Sequence, residues 1–377
     1  MIPYGRQHID AEDIKSVVDV LQSDWLTTGP KVGEFERTFA DFVGAKYAVA
    51  VNSGTAALHA AMYALGISPG DEVIVPAMTF AATANCVVFQ GGTPIFADVD
   101  PETLLIDPSS VEDRISPKTR AIIAVDYAGQ PCDYDTLAAI AGKHNLALVA
   151  DACHSLGALY KDRPVGSLAF LNAFSFHPVK HITTGEGGMI TTDDSKLAER
   201  MRLFRNHGIT TDHRQRDAQD SWFYEMVDLG YNYRLTDFQC ALGLSQLKKL
   251  PLWIQRRQEI ARHYDEAFRS IPRVKPLSVQ NETFHAYHLY VVRLDLDGKD
   301  LDRSVVFRKL REAGIGVNVH YIPVHLHPFY KNRFHTRLGL CPIAEAAYEQ
   351  IISLPMYPTL KDKEQGMVIE YIVKELS

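Results

Sequence analysis

The sequence predicts an α/β protein in which a mostly parallel sheet, wound with helices, is followed by a smaller α+β unit. Three observations carry that expectation. Apolar runs of strand length (YAVAV, EVIVP, PIFADV, RAIIAVDY, LALVADA) alternate with helical segments such as TAALHAAMYALG and DYDTLAAIAGKHN up to about residue 175. Right-handed crossovers between parallel strands produce that order. After GGMITTDD the pattern turns helical, with SKLAERMRLFRNHG, TDFQCALGLSQLKKL and then a long helix from about Pro251 to Ser270. From about Ile271 the composition shifts: YHLYVVRLDL, a helix from Asp302 to Ala313, GVNVHYIPV and a helix from about Pro342 to Ile352 read as a compact α+β domain. At 377 residues the chain exceeds the usual span of one core. The expected division is 1–250 for a large domain with an N-terminal arm, and 251–377 for a linking helix and the C-terminal α+β domain.

Three junctions in the large domain concentrate chemistry-bearing residues. In LALVADACHSLGA, residues 146–158, a near-continuous apolar run reads as a buried parallel strand ending in Asp151. Open α/β sheets place ligands at strand carboxyl ends, and a carboxylate buried there needs a cationic partner, such as a protonated pyridine nitrogen. Taken alone, Asp151 could equally cap the next turn. In VNSGTAALHAAMYALG, residues 51–66, a strand passes through Ser53, Gly54 and Thr55 into a helix. Its first-turn N–H groups form either an anion site or an ordinary capping sequence. In AFSFHPVKHITTGEGG, residues 173–188, Lys180 lies between a hydroxyl-aromatic-histidine run and a glycine-rich turn. An ε-amine attacks an aldehyde cofactor only when partly unprotonated, and desolvation lowers its pKa from ~10.4. Ser175, Thr183 and Thr184 stand close enough in sequence to serve a phosphate.

These junctions occur in order with WLTTGPKVGEFERTFADFVGAKYAVAVNSGTAAL, PAMTFAATAN and, at 230–247, GYNYRLTDFQCALGLSQL. Over essentially the whole chain the set resembles the fold-type I pyridoxal phosphate (PLP) enzymes, and within them the sugar aminotransferases of the DegT/DnrJ/EryC1/StrS family. The resemblance implies a mostly parallel seven-stranded sheet and PLP as cofactor. It implies that Lys180 holds the cofactor and moves the proton, that Asp151 pairs with the pyridine nitrogen, and that His154 lies near the ring's phenolic oxygen. It places Phe80 on the ring face and Gly54, Thr55 and Ser175 at the phosphate. Asn232 would reach the phosphate of a neighbouring subunit, so a homodimer with shared sites is expected. GYNYRLTD also reads as a turn with Thr236 or Asp237 starting a helix.

The segment VHYIPVHLHPFYKNRF, residues 319–334, concentrates His320, Tyr321, His325, His327, Tyr330 and Arg333. His325 and His327 could share a strand face, but no carboxylate and no H-x-x-x-H helix accompanies them, so no metal is assigned. Family resemblance places this segment near the active site, which makes Tyr321, His325 and His327, with His177 and Arg234, candidate substrate contacts. The wording of the motifs is similar to the branch producing UDP-4-amino-4,6-dideoxy-N-acetyl-β-L-altrosamine from a UDP-4-keto-6-deoxy sugar and glutamate in pseudaminic acid synthesis. Alternatives are an aminotransferase for another nucleotide-linked 4-keto sugar (perosamine-, bacillosamine- or aminoarabinose-type), a non-catalytic regulator on the same fold, and a metal-dependent hydrolase. A dehydratase of the family would carry histidine where Lys180 stands.

Composition agrees with a cytoplasmic enzyme: 46% hydrophobic and 23% charged residues are ordinary globular usage. The five cysteines are odd in number, scattered and without a C-x-x-C pair, so neither a disulfide framework nor structural zinc is expected. A net charge of −7 without a long basic face argues against nucleic-acid binding. MIPYGRQHIDAEDI has no basic run before an apolar stretch, and no segment approaches the ~20 apolar residues of a membrane span, so neither secretion nor insertion is expected. The polar stretch from Gly208 to Met226 reads as a lid or dimer-contact loop.

Overall fold

The computed structural model describes residues 1–211, 213–218, 220–296 and 302–376. An extended arm leads into α1 (Ala11–Leu21), where Asp10 accepts the N–H groups of Glu12 and Asp13 as a cap. In α2 (Pro30–Val43) proline takes the first position, where its missing N–H costs nothing, and Gly44 ends the helix at φ 71°. Strands and helices then alternate: β1 (Tyr47–Val51), α3 (Gly54–Leu65), β2 (Glu72–Pro76), α4 (Ala81–Phe89), β3 (Thr93–Ala97), α5 (Pro108–Asp113), β4 (Thr119–Val125), α6 (Tyr134–His144) and β5 (Ala147–Asp151). The short pair β6 (Leu159–Tyr160) and β7 (Arg163–Pro164) precedes β8 (Leu171–Ser175), β9 (Gly188–Thr192) and α7 (Ser195–Phe204).

The seven-stranded sheet has the order β1-β9-β8-β5-β4-β2-β3. Only β9 runs against its neighbours; every other pairing is parallel. With helices on both faces the central strands have no solvent side, which is why β4 and β5 read as continuous apolar runs. Their carboxyl ends, with that of β8, open at one edge of the sheet.

The helical part differs from expectation in two places. A short helix, α8 (His213–Ala218), interrupts the stretch expected to be a loop, and the ends of that stretch pair as Thr210 N to Glu225 O (3.0 Å) and Val227 N to Gly208 O (2.9 Å). The two helices expected around Pro251 are one, α9 (Asp237–Phe268), 32 residues long with Pro251 inside. Proline removes one helical hydrogen bond, but Leu247, Leu250 and Ile254 are buried on both sides of it, and that packing carries the helix through. Thr236 and Gln239 close its start as a capping box.

Beyond α9 come β10 (Val274–Pro276), β11 (Thr283–Phe284), β12 (Tyr290–Leu294), α10 (Arg303–Glu312), α11 (Pro328–Phe334), α12 (Pro342–Gln350), β13 (Ile351–Leu354) and α13 (Asp362–Leu376). The helix expected to reach Ile352 stops at Gln350, because the apolar IISL run pairs with β12 as a strand. Strands β10, β12 and β13 form an antiparallel sheet of three. Two apolar clusters result: one around the large sheet, taking Leu247 to Ile254 of α9, and one joining Ile260, Tyr264 and Phe268 to Val292, Leu310, Ile352 and Val368. The N-terminal arm is tied to the second by Ile2 N to Gly314 O (2.8 Å) and Met356 N to Tyr4 O (2.9 Å).

Candidate active site

Asp151 is the last residue of β5 and is 6% exposed. Its Oδ2 accepts a hydrogen bond from Thr83 Oγ1 at 2.6 Å and its Oδ1 one from the Cys153 N–H at 3.3 Å. The side chain is therefore anchored from behind while the residue lines a cavity of about 570 Å³. Lys180 lines the same cavity, on the loop between β8 and β9, where its N–H donates to His177 O at 2.9 Å. Burial pushes the ammonium pKa down, opposed by the facing Cys153 and Asp151. The amine is thus biased toward its nucleophilic form without losing the carboxylate that orients it.

A third wall comes from the N-terminus of α3. Ser53 caps the helix through the Ala56 N–H (3.0 Å), leaving the first-turn amides of Gly54 and Thr55 facing the cavity. Gly54 is required here by close approach: a Cβ would meet Ser175 Cβ at 2.8 Å and Cys153 Sγ at 3.2 Å. Phe80 caps α4 and stands 60% exposed over the opening, its ring 5.9 Å from that of Tyr321. An aromatic left this open above a polar cavity is a stacking platform rather than core.

His154 is 5% exposed, with Nε2 3.1 Å from the Tyr321 hydroxyl. Burial holds its pKa well below the ordinary histidine value, helped by the charges of Lys180, His320 and His181. Burial likewise raises the Tyr321 hydroxyl well above its usual range. His177 also lines the cavity and is exposed.

Other expected residues lie elsewhere. Thr183 and Thr184 are buried and spend their hydroxyls on the turn itself, donating to Phe176 O (3.0 Å) and Glu186 O (2.7 Å), so neither serves a phosphate. Arg234 donates to Asn206 Oδ1 at 2.8 Å and lines a separate cavity of about 190 Å³ with Arg202 and Arg205. His325 is fully buried and pairs with Glu345 at 2.8 Å, and His327 caps α11 without reaching the cavity. Neither His325 nor His327 lines the cavity of this chain. Their expected shared strand face does not exist, because Val324–Leu326 is a single 3₁₀ turn and α11 starts at Pro328. Asn232 is exposed and outside this chain's own cavity.

The reading of the sequence missed Tyr4, Cys153, Glu186, His288 and Asn318, and gave His320 no role, yet all six line the cavity. Cys153 and Glu186 sit inside motifs already singled out. The other four come from the N-terminal arm and the region after α9; His320 lies in the histidine-rich segment 319–334, and no local pattern marks Tyr4, His288 and Asn318.

The residues present fit PLP: a carboxylate on the floor, a desolvated lysine beside it, helix-start amides with hydroxyls for a phosphate, and an open aromatic above. Comparison with known proteins decides the point. The model of the DegT/DnrJ/EryC1/StrS aminotransferase family matches residues 7–373. The chain belongs to that family. It is 44% identical to the spore coat polysaccharide biosynthesis protein SpsC of Bacillus subtilis over 373 residues, 98% of this chain and 96% of the relative. A putative sugar aminotransferase from Streptococcus pneumoniae in its PMP form superposes with a TM-score of 0.93 at 34% identity, covering 100% of both chains. PseC of Helicobacter pylori, an aminotransferase involved in the biosynthesis of pseudaminic acid, superposes with a TM-score of 0.92 at 34% identity, covering 100% of this chain and 99% of that one. As a member of this family the protein is a PLP-dependent sugar aminotransferase of fold type I.

Proposed function

We propose that the protein transfers the amino group of glutamate to C4 of a UDP-4-keto-6-deoxy-N-acetylhexosamine of the L-arabino configuration, giving UDP-4-amino-4,6-dideoxy-N-acetyl-β-L-altrosamine for pseudaminic acid synthesis. The observation that carries the reading is Lys180 beside Asp151 in a cavity walled by Phe80 and the start of α3, on a chain similar end to end to PseC. PLP, once bound, supplies the electron sink for breaking a bond beside nitrogen. Asp151 holds the proton on the pyridine nitrogen, while Gly54, Thr55 and Ser175 bind the phosphate and Phe80 packs on the ring. Lys180 takes the proton from the donor's α-carbon as 2-oxoglutarate forms, and later delivers a proton to C4 of the sugar. Because Lys180 stands on one side of the cavity, delivery comes from one face, and position sets the stereochemistry of the new C–N centre. Asn232 reaches the phosphate in a partner subunit's site, which makes the working unit a homodimer.

The 44% identity to SpsC favours a second reading, in which the acceptor is a different nucleotide-linked 4-keto sugar. One experiment separates the two: incubation with PLP, glutamate and, separately, the two C5-epimeric UDP-4-keto-6-deoxy-N-acetylhexosamines, with the product read by NMR. Amination of the L-arabino epimer alone is expected. Amination of the D-xylo epimer alone moves the enzyme to another pathway, and no product with either overturns the choice of sugar or donor.

A further inference from the structure

Packed against His154 lies a second buried imidazole. His288 is 4% exposed, and its ring centroid is 4.3 Å from that of His154, with the planes at 45°. His181 follows at 5.6 Å from His288. The Nδ1 atoms of His154 and His288 are both buried, and neither has a hydrogen-bond partner among the described residues. Native interiors rarely leave two such atoms in adjacent rings, because each forfeits its hydration without a compensating hydrogen bond.

The fold goes to some length to bring the two rings together. Gly129, at φ 106°, sits where a Cβ would meet His154 O at 2.8 Å and His288 N at 2.8 Å, so only glycine lets the two segments close on each other. The fully buried Arg257 of α9 donates to Tyr287 O at 3.0 Å and His288 O at 3.4 Å, and Leu289 N donates to Ala128 O at 3.1 Å. The His288 segment is held by these backbone bonds, and the residue lines the cavity.

We propose that His288 is a positioning residue for His154: packed against that ring, it shuts water away from His154 Nδ1 and keeps the imidazole a neutral partner for the Tyr321 hydroxyl. Burial and the charges of Lys180, His320 and His181 bear on the charge of His154, and Arg257 bears on that of His288. Lys180 and His181 face it from the β8–β9 loop, His320 and Tyr321 from the segment before α11, and Arg257 from α9 behind His288; Asp151 and Asp126 stand at the ends of β5 and β4. A cationic His154 would meet Lys180 on one side and find no acceptor for its Nδ1 proton on the other. A neutral one shares a hydrogen bond with the Tyr321 hydroxyl without placing a second positive charge beside Lys180. The role depends on the proposed reading that His154 lies beside the cofactor ring, but the charge state of His154 is measurable without cofactor.

The test is NMR of the cofactor-free protein labelled with ¹⁵N-histidine, with the His154 signals assigned by their loss in His154→Asn. In the unsubstituted protein the His154 ring is expected to stay neutral, in one tautomer, well below the pH near ~6.5 at which an ordinary histidine titrates. His288→Ala admits water to Nδ1 and raises the midpoint by about one pH unit or more, whereas His288→Phe, which restores a ring, keeps His154 neutral. His288→Gln, polar and without a ring, answers the same question should the alanine variant fail to fold. An unsubstituted His154 that titrates near ~6.5, or one whose midpoint ignores the loss of the His288 ring, overturns the proposal. Failure to aminate any keto sugar would sink the proposed function and leave this measurement unaffected.

Discussion

Lys180 stands where burial pushes its amine toward neutrality while Asp151 and Cys153 pull the other way. Its side chain is not part of the apolar core, so Lys180→Ala removes chemistry without removing packing. Turnover is expected to fall below detection, with a thermal melting temperature within a few degrees of the parent, since substitutions that open no core cavity usually change stability by less than about 1 kcal/mol. Retained turnover in that variant would refute the assignment. Lys180, Asp151, His154 and Ser175 were legible because each sits at a strand end or a glycine-rich turn, where backbone geometry by itself exposes a side chain to the sheet's open edge. His325 and His327 were named through the family resemblance, and neither lines this chain's cavity, because the segment turns at Val324–Leu326 and His325 is buried against Glu345.

The elements that frame the cavity are held by a few polar clamps. Asp237, wholly buried at the start of α9, accepts the N–H groups of Gly29 (2.5 Å) and Lys31 (2.8 Å), tying α2 to α9. Asp10 caps α1 and meets Lys249 of α9 at 2.5 Å, and this contact holds its pKa down at about 2. A carboxyl depressed in the folded state contributes stability above its unfolded pKa near ~3.9 that is lost as pH falls through about 2. Asp10→Asn is therefore expected to lower the denaturant midpoint at pH 6, with the difference shrinking below pH ~4 and gone under pH ~2. A difference constant across that range would show that the charge of Asp10 is irrelevant. Helix starts of this kind were readable in the sequence, because a capping residue needs only its near neighbours; Thr236 was among the starts expected. The continuity of α9 through Pro251 was not, since it depends on apolar partners far along the chain.

At the scale of the molecule, Asn232 is exposed and outside the cavity of its own chain, the placement expected of a residue that serves a neighbour. The proposed shared site makes a sharp prediction. Lys180→Ala and Asn232→Ala proteins, each inactive or nearly so alone, are mixed, unfolded and refolded together. Random pairing puts half the chains into mixed dimers with one intact site each, so activity should return to about a quarter of the parent. No recovery, in a mixture shown to exchange subunits, would confine each site to one chain. The exposed Trp222, Phe223 and Met226 lie in the same region of the chain as Asn232.

The order of strands and helices in the large domain and the place of Asp151 at a strand end were determined by the sequence alone, because each rests on periodicity or on residues within one motif; the family, and with it the proposed role of Lys180, was legible as a resemblance of motifs spread along the whole chain. Tertiary structure decided which distant groups complete the cavity. Tyr4 arrives on an arm tied to Gly314 and Met356, and Asn318 and His320 come from the segment before α11. His288 meets His154 only because Gly129 lets two loops approach. Such contacts join residues more than a hundred positions apart, and their geometry is set by packing, which no local pattern encodes.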